Sequence, residues 1–252
     1  MDIWNYVKNI YSGRENILTH LILFSLSGIF AILFGKFSAF YLGTFYFGYP
    51  LASENLVSVC TFFLTIVGMF MFGYIYSYSN VLYKDLKTKL PDVNSEIYLA
   101  FFKMLPIMLF WFFIVIMLIF AGLSIFNLQS EPIKSLLYNS LILLSFPYIN
   151  VMFVLYSRDF KFRPALYRPS NFLKIIRKIG IPITVLVFKC IILLCIIVEI
   201  TLRTLRVSNN IADFNTCIGA RILILSMSFY LVNILNYIYV SGVVNITKDI
   251  EV

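Results

Sequence analysis

Charge is what this sequence has least of. Only 13% of its 252 residues are Asp, Glu, Lys or Arg, against about 25% in a soluble globular domain. The acidic residues number 12, and His20 is the sole histidine. A Ser-His-Asp or Cys-His arrangement would have to be built on that one imidazole, and no partner for it stands out along the chain. The phosphate loop Gly-x-x-x-x-Gly-Lys-Ser/Thr, the zinc motif His-Glu-x-x-His and clustered carboxylates are missing, so no catalytic residue, metal or cofactor is expected. The four cysteines, Cys60, Cys190, Cys195 and Cys217, form no Cys-x-x-Cys pair. Three of them lie in apolar runs, where a thiol acts as a small hydrophobe, so neither a disulfide framework nor a zinc site is indicated. Residues Met1 to Tyr6 lack the basic start and small-residue cleavage site of a signal peptide. Insertion is expected to rely on the first span itself.

What fills the chain instead is apolar. Hydrophobic residues make up 61% and aromatics 18%, with a mean hydropathy of +0.90. That excess is too large for a core shielded from water and fits a chain solvated by lipid. An α-helix needs about 20 apolar residues to cross the hydrocarbon of a bilayer. Six stretches qualify, at about 17–34, 56–78, 101–125, 136–156, 181–200 and 221–244. No polar stretch is long enough to fold separately, so residues 1–252 are expected to form one membrane domain. The fold class is all-α: a polytopic bundle of six transmembrane helices with short interfacial amphipathic helices.

The net charge of +8 belongs to short segments between the apolar spans. Anionic headgroups and the excess of Lys and Arg in cytoplasmic loops explain it better than nucleic acid, for which no base-stacking module is present. Six spans put both termini on one side of an inner cell membrane. Of the 20 Lys and Arg, 14 fall on that side, five on the other, and Lys189 lies inside a span. Both ends are therefore expected in the cytoplasm. The densest basic segment holds Arg158, Lys161, Arg163, Arg168, Lys174, Arg177 and Lys178, just before the fifth span. It is the expected contact for anionic lipid headgroups.

Other expectations concern the joints. Ile3, Trp4, Val7, Ile10 and Tyr11 recur at roughly three- and four-residue spacings, as in an interfacial helix or an ordered cap on the bundle. His20 is read as structural, close enough to the surface to need no partner. Gly68 and Gly73 in the second span offer close approach to a neighbour. Asp92 is placed to cap a helix after Leu90-Pro91. Pro106 is expected to end a short interfacial helix beginning near Ser95. A further amphipathic helix is expected over Phe172–Ile179, capped by Ser170 or Asn171, ahead of the fifth span, with a connection over 201–220. Glu199 is expected to pair with Arg203, four residues on. Three segments (Ile3–Tyr11, Glu96–Leu105 and Phe172–Ile179) each precede a pair of spans, the pattern of three parallel helix-pair repeats.

Lys189 is the sharpest functional clue. It lies eight residues after Ile181, near the bilayer midplane, where a charge costs at least about 2.5–3.5 kcal/mol. Asn233 in the sixth span, with Tyr148 and Asn150 in the fourth, reaches similar depth. Pro147 frees a backbone carbonyl beside them. Together they suggest a midplane polar site for an anion, a proton or a lipid headgroup. The plainer reading is a lysine satisfied by carbonyls and amides, or one reaching toward an interface.

The residues Gly73-Tyr74, Asn80, Leu90-Pro91-Asp92, Phe101 and Leu105-Pro106, then Leu155-Tyr156-Ser157-Arg158-Asp159 and Arg163-Pro164-Ala165-Leu166, resemble a family of bacterial and archaeal multi-span proteins catalogued as a domain of unknown function. The resemblance covers about residues 60–200, with Val93 standing where that family often has tryptophan. It implies architecture and no reaction. The function expected is a scaffold or membrane subunit of a larger assembly, with a protein partner or a second copy of the chain. The alternative is a small transporter or lipid-handling protein centred on Lys189.

Overall fold

A computed structural model describes residues 7, 8, 10, 11, 16–41, 54–84, 90, 93–126, 149–163, 169–211 and 214–248. The described residues are helical, without strands: α1 Asn16–Tyr41, α2 Glu54–Lys84, α3 Glu96–Phe126, α4 residues 149–157, α5 Pro169–Ile211 and α6 Phe214–Thr247, with further helical residues at 7, 8, 10 and 11. Five of these are long and apolar enough to cross a membrane, so the chain is built as a multi-pass membrane protein. Most of the expected fourth span, with Pro147 and Tyr148, lies outside the described residues, as do Asp92 and Arg168.

The helices run longer than the apolar windows. Helix α1 continues through Gly35 and Lys36 to Tyr41, and α2 through Asn80 to Lys84. Hydropathy falls at the edge of the hydrocarbon, but backbone hydrogen bonding carries a helix on into the interface. For the same reason the expected 201–220 connection is corrected: α5 reaches Ile211 and α6 begins at Phe214.

The proline expected to mark a boundary is also passed by. Pro106 lies inside α3, and no separate helix ends there. Its ring sterically disturbs the preceding turn, where the Lys103 carbonyl accepts a hydrogen bond from the Tyr156 hydroxyl at 3.0 Å. The Phe172–Ile179 segment and the fifth span are one helix, continuous through Pro182. Pro169 opens it, since a first-turn residue needs no N–H donor. Helix α3 starts from Asn94, whose Oδ1 accepts the Glu96 N–H at 3.1 Å.

Helices α2 and α6 are central: α2 packs against α1, α3 and α6, and α6 against α1, α2 and α5. Gly73 is where α3 comes closest: a Cβ there would collide with the Ile97 carbonyl oxygen, so only glycine admits this approach. Gly68 has no neighbour within 4 Å and serves no such purpose. Against α6, three contacts keep nearly one offset: Tyr74 with Tyr237, Tyr78 with Ser241 and Tyr83 with Thr247. A constant offset means the two helices run parallel and level. Helix α4 also lies parallel to α2, pairing Asn150 with Tyr76 and Ser157 with Ser79. Helix α5 returns antiparallel to α6 and, among the five long described helices, packs chiefly against it.

Candidate functional site

Half of the buried serine, threonine and asparagine side chains among the described residues lie on α6, and most of these share one face with two tyrosines. Ser226, Tyr230, Asn233, Tyr237 and Ser241 recur every three or four residues, and Thr247 continues the line. All are buried, with exposures between 0% and 8%. A stripe of that period lies on one side of a helix. It spans about 31 Å from Ser226 to Thr247, close to the thickness of bilayer hydrocarbon.

Its partners come from α1, α2 and the N-terminal segment. The Ser241 hydroxyl donates to the Tyr237 carbonyl at 2.8 Å, so the Tyr78 hydroxyl, 2.8 Å away, donates to Ser241. Thr247 donates to the Val243 carbonyl in the same way and accepts from Tyr83 at 2.6 Å. Asn233 Nδ2 donates to the Phe229 carbonyl at 3.0 Å and to Ser27 Oγ on α1 at 3.3 Å. Gly28 keeps α1 close there, since a Cβ would sit 3.2 Å from Ser226 Oγ.

His20 belongs to this seam and is not the isolated residue that its position suggested. Its Nε2 lies 3.1 Å from the Ile10 carbonyl, which can only accept, so Nε2 carries the proton. Nδ1 lies 2.9 Å from the Tyr230 hydroxyl, which shares a hydrogen bond with the Tyr11 hydroxyl at 3.1 Å. The Tyr11 ring stacks on the imidazole with centroids 4.6 Å apart. The loop of bonds starts and ends on the dipeptide Ile10-Tyr11. It closes around the imidazole and ties the N-terminal segment to α6, about 25 Å along the axis from Thr247.

The residues expected around the midplane are divided among different neighbours. Asn233 is committed to α1 through Ser27, and Asn150 Oδ1 accepts from Tyr76 of α2 at 3.4 Å. Lys189 on α5 is half-buried, beside Cys190, which packs on the core. Tyr148 lies outside the described residues. The signal for the seam was present in the sequence as Ser, Tyr, Asn, Tyr and Ser at helical spacing in the sixth span. It is easily passed over, because each residue alone is unremarkable in a membrane helix.

At the end of α4 the basic segment makes a built turn. Asn80 Nδ2 donates to the carbonyls of Ser157 and Arg158, each at 2.9 Å. Phe160 takes a left-handed conformation with φ 54°, held by its N–H to the Tyr156 carbonyl at 2.9 Å and by Lys103 Nζ, 5.4 Å from its ring centre. Burial pushes the Asp159 carboxyl up, but hydrogen bonds from Arg163 and the Lys161 N–H, with the charges of both, hold it below the usual carboxylate range. Arg158 lies over the Tyr83 ring, 5.6 Å from its centre, while Lys161 is exposed. Arg177 and Lys178 are exposed on the first turns of α5.

No known family, characterised protein or solved structure matches this chain. Among the described residues no group of His, Cys, Asp or Glu could hold a metal ion. The chemistry on display is hydroxyl and amide hydrogen bonding between helices. Such bonding holds a bundle together in lipid, where apolar surface gives helices little reason to associate.

Proposed function

We propose that this protein is a membrane subunit of a larger assembly and that α5 is the face it offers to a partner. One observation carries the reading. Only 11% of the α5 span is buried within the chain, against 44% of the α6 span beside it. Phe188, Ile192 and Ile196 are 63%, 45% and 49% exposed and form an apolar flank on that helix. In the same reading both termini are cytoplasmic, supported by the distribution of Lys and Arg. Lys161, Arg177 and Lys178 then meet anionic headgroups, where each is worth about 1 kcal/mol at low salt. The resemblance of residues 60–200 to a multi-span family adds architecture to this proposal and no activity.

Photocrosslinking tests it. A benzophenone amino acid at Phe188, Ile192 or Ile196, activated in intact membranes, is expected to give one discrete protein adduct identifiable by mass spectrometry. The same probe at Ile183, which is buried, is expected to give none. Lipid adducts alone from all three exposed positions would remove the assembly reading.

A further inference from the structure

The turn that ends α4 does more than reverse the chain. Phe160 holds a left-handed conformation that glycine or asparagine usually supplies. A bulky residue keeps it only where its surroundings insist, and such positions gather at working surfaces. Here the Phe160 ring meets that of Tyr156 edge-on, with centroids 6.4 Å apart, and Lys103 Nζ stands over it. The Lys161 N–H donates to Asp159 Oδ1 at 3.1 Å, and Arg163 closes the turn onto the same carboxylate.

What the turn presents is Lys161-Phe162-Arg163. The Phe162 ring is 53% exposed, yet it also meets the Phe110 ring of α3 edge to face, with centroids 6.1 Å apart. Phe110 lies seven residues beyond Lys103 in α3, about 10 Å further along the axis. Lys103, near the start of that helix, marks the edge of the hydrocarbon, where a lysine can reach water. Between Phe160 and Phe162 the chain therefore descends from that edge into the level of the span. Phe102, Leu109 and Phe113 are exposed beside it on α3, so the Phe162 ring extends a surface already turned to lipid. Lys161 is exposed as well. An aromatic ring among acyl chains with a basic residue beside it is how interfacial segments grip an anionic bilayer.

We infer that residues 160–163 form a membrane hook: Phe162 enters the acyl region beside α3, and Lys161 holds the headgroup of an anionic phospholipid. Arg163 is paired with Asp159, so the headgroup falls to Lys161. The inference deepens the headgroup contact proposed for Lys161 and rests on it for the charge alone. It does not depend on a partner for α5.

The full chain in nanodiscs of phosphatidylcholine and phosphatidylglycerol tests both parts. A benzophenone amino acid at Phe162 is expected to crosslink to lipid at an acyl-chain carbon, with adducts richer in phosphatidylglycerol than the disc. Lys161→Gln, combined with that probe, should lower the enrichment about fivefold at low salt. Protein adducts alone, or none, overturn the hook. Lipid adducts without a preference, or with one that Lys161→Gln leaves intact, keep the insertion and overturn the headgroup contact. A second readout avoids the apolar probe. Phe162→Asp should lift the turn out of the bilayer and speed tryptic cleavage within residues 158–163 about tenfold or more. Unchanged cleavage overturns the hook as well.

Discussion

Helices α5 and α6 are consecutive and separated only by residues 212 and 213, yet they solve opposite problems. Helix α5 carries the most apolar of the five candidate spans and the least buried; α6 carries the least apolar and the most buried. In water the order would be reversed, since the most apolar helix would seek the centre. In lipid the tails are as apolar as leucine, so burying leucine against leucine gains little. What gains is the pairing of hydroxyls and amides that lipid cannot satisfy. The centre of this bundle therefore belongs to the helix with tyrosines, serines and an asparagine, and its flank to the helix of isoleucines.

Predictions that stress this difference can be ordered by size. The largest effect is expected at Gly73, where the obstacle to a side chain is backbone on α3. Gly73→Val should cost about 3 kcal/mol, enough to lower Tm by about 6–12 °C. Gly180→Val on α5, which has nothing within 4 Å, should fold as well as the parent apart from the β-branched residue's mild helix penalty. Equal losses at the two sites, followed by thermal unfolding in detergent, would erase the contrast between centre and flank.

A smaller effect is expected from the paired hydroxyls. Tyr78→Phe removes the donor to Ser241 and should cost about 0.6–1.7 kcal/mol, the range of interhelical hydrogen bonds in membranes. Ser241→Ala should cost a similar amount, and the double variant should lose less than the sum. Strict additivity in that cycle would mean that the 2.8 Å contact carries no coupling. The smallest effect belongs to the Glu199–Arg203 pair at 2.7 Å on α5, whose side chains are 59% and 77% exposed. Glu199→Gln should leave Tm unchanged within about 1 °C, because exposed pairs are screened and flexible. A larger loss would show that this part of α5 is covered.

Much of this architecture is legible in the chain. Apolar windows locate the spans because about 20 residues of hydrocarbon contact leave a strong signal, and the Glu199–Arg203 pair follows from helical spacing alone. Gly73 was identifiable as a close-approach residue, though Gly68 carried the same signal without the contact. The helix ends were misplaced because hydropathy reports solvent and not backbone bonding, as Tyr41, Lys84 and Ile211 show. The polar pairings were out of reach for a different reason. Ser27 and Asn233 are 206 residues apart, and His20 and Tyr230 are 210 apart. Depth along a span can match such residues in level, but only packing decides which helices are neighbours. Counting along the spans gives Lys189, Asn150 and Asn233 a similar depth, yet the two asparagines are bonded to different helices.

The common offset between α2 and α6 has a mechanical consequence. Tyr74–Tyr237, Tyr78–Ser241 and Tyr83–Thr247 are set at one spacing, so a sliding motion of either helix along the other unfastens all three together. Such a pair resists displacement along the membrane normal as a toothed rack does, with no intermediate position of low energy. Helix α5 meets α6 over a more extensive contact, which includes the hydroxyls of Thr201 and Ser228, 2.6 Å apart. A sliding force on α2 is passed to α6 through all three pairs at once.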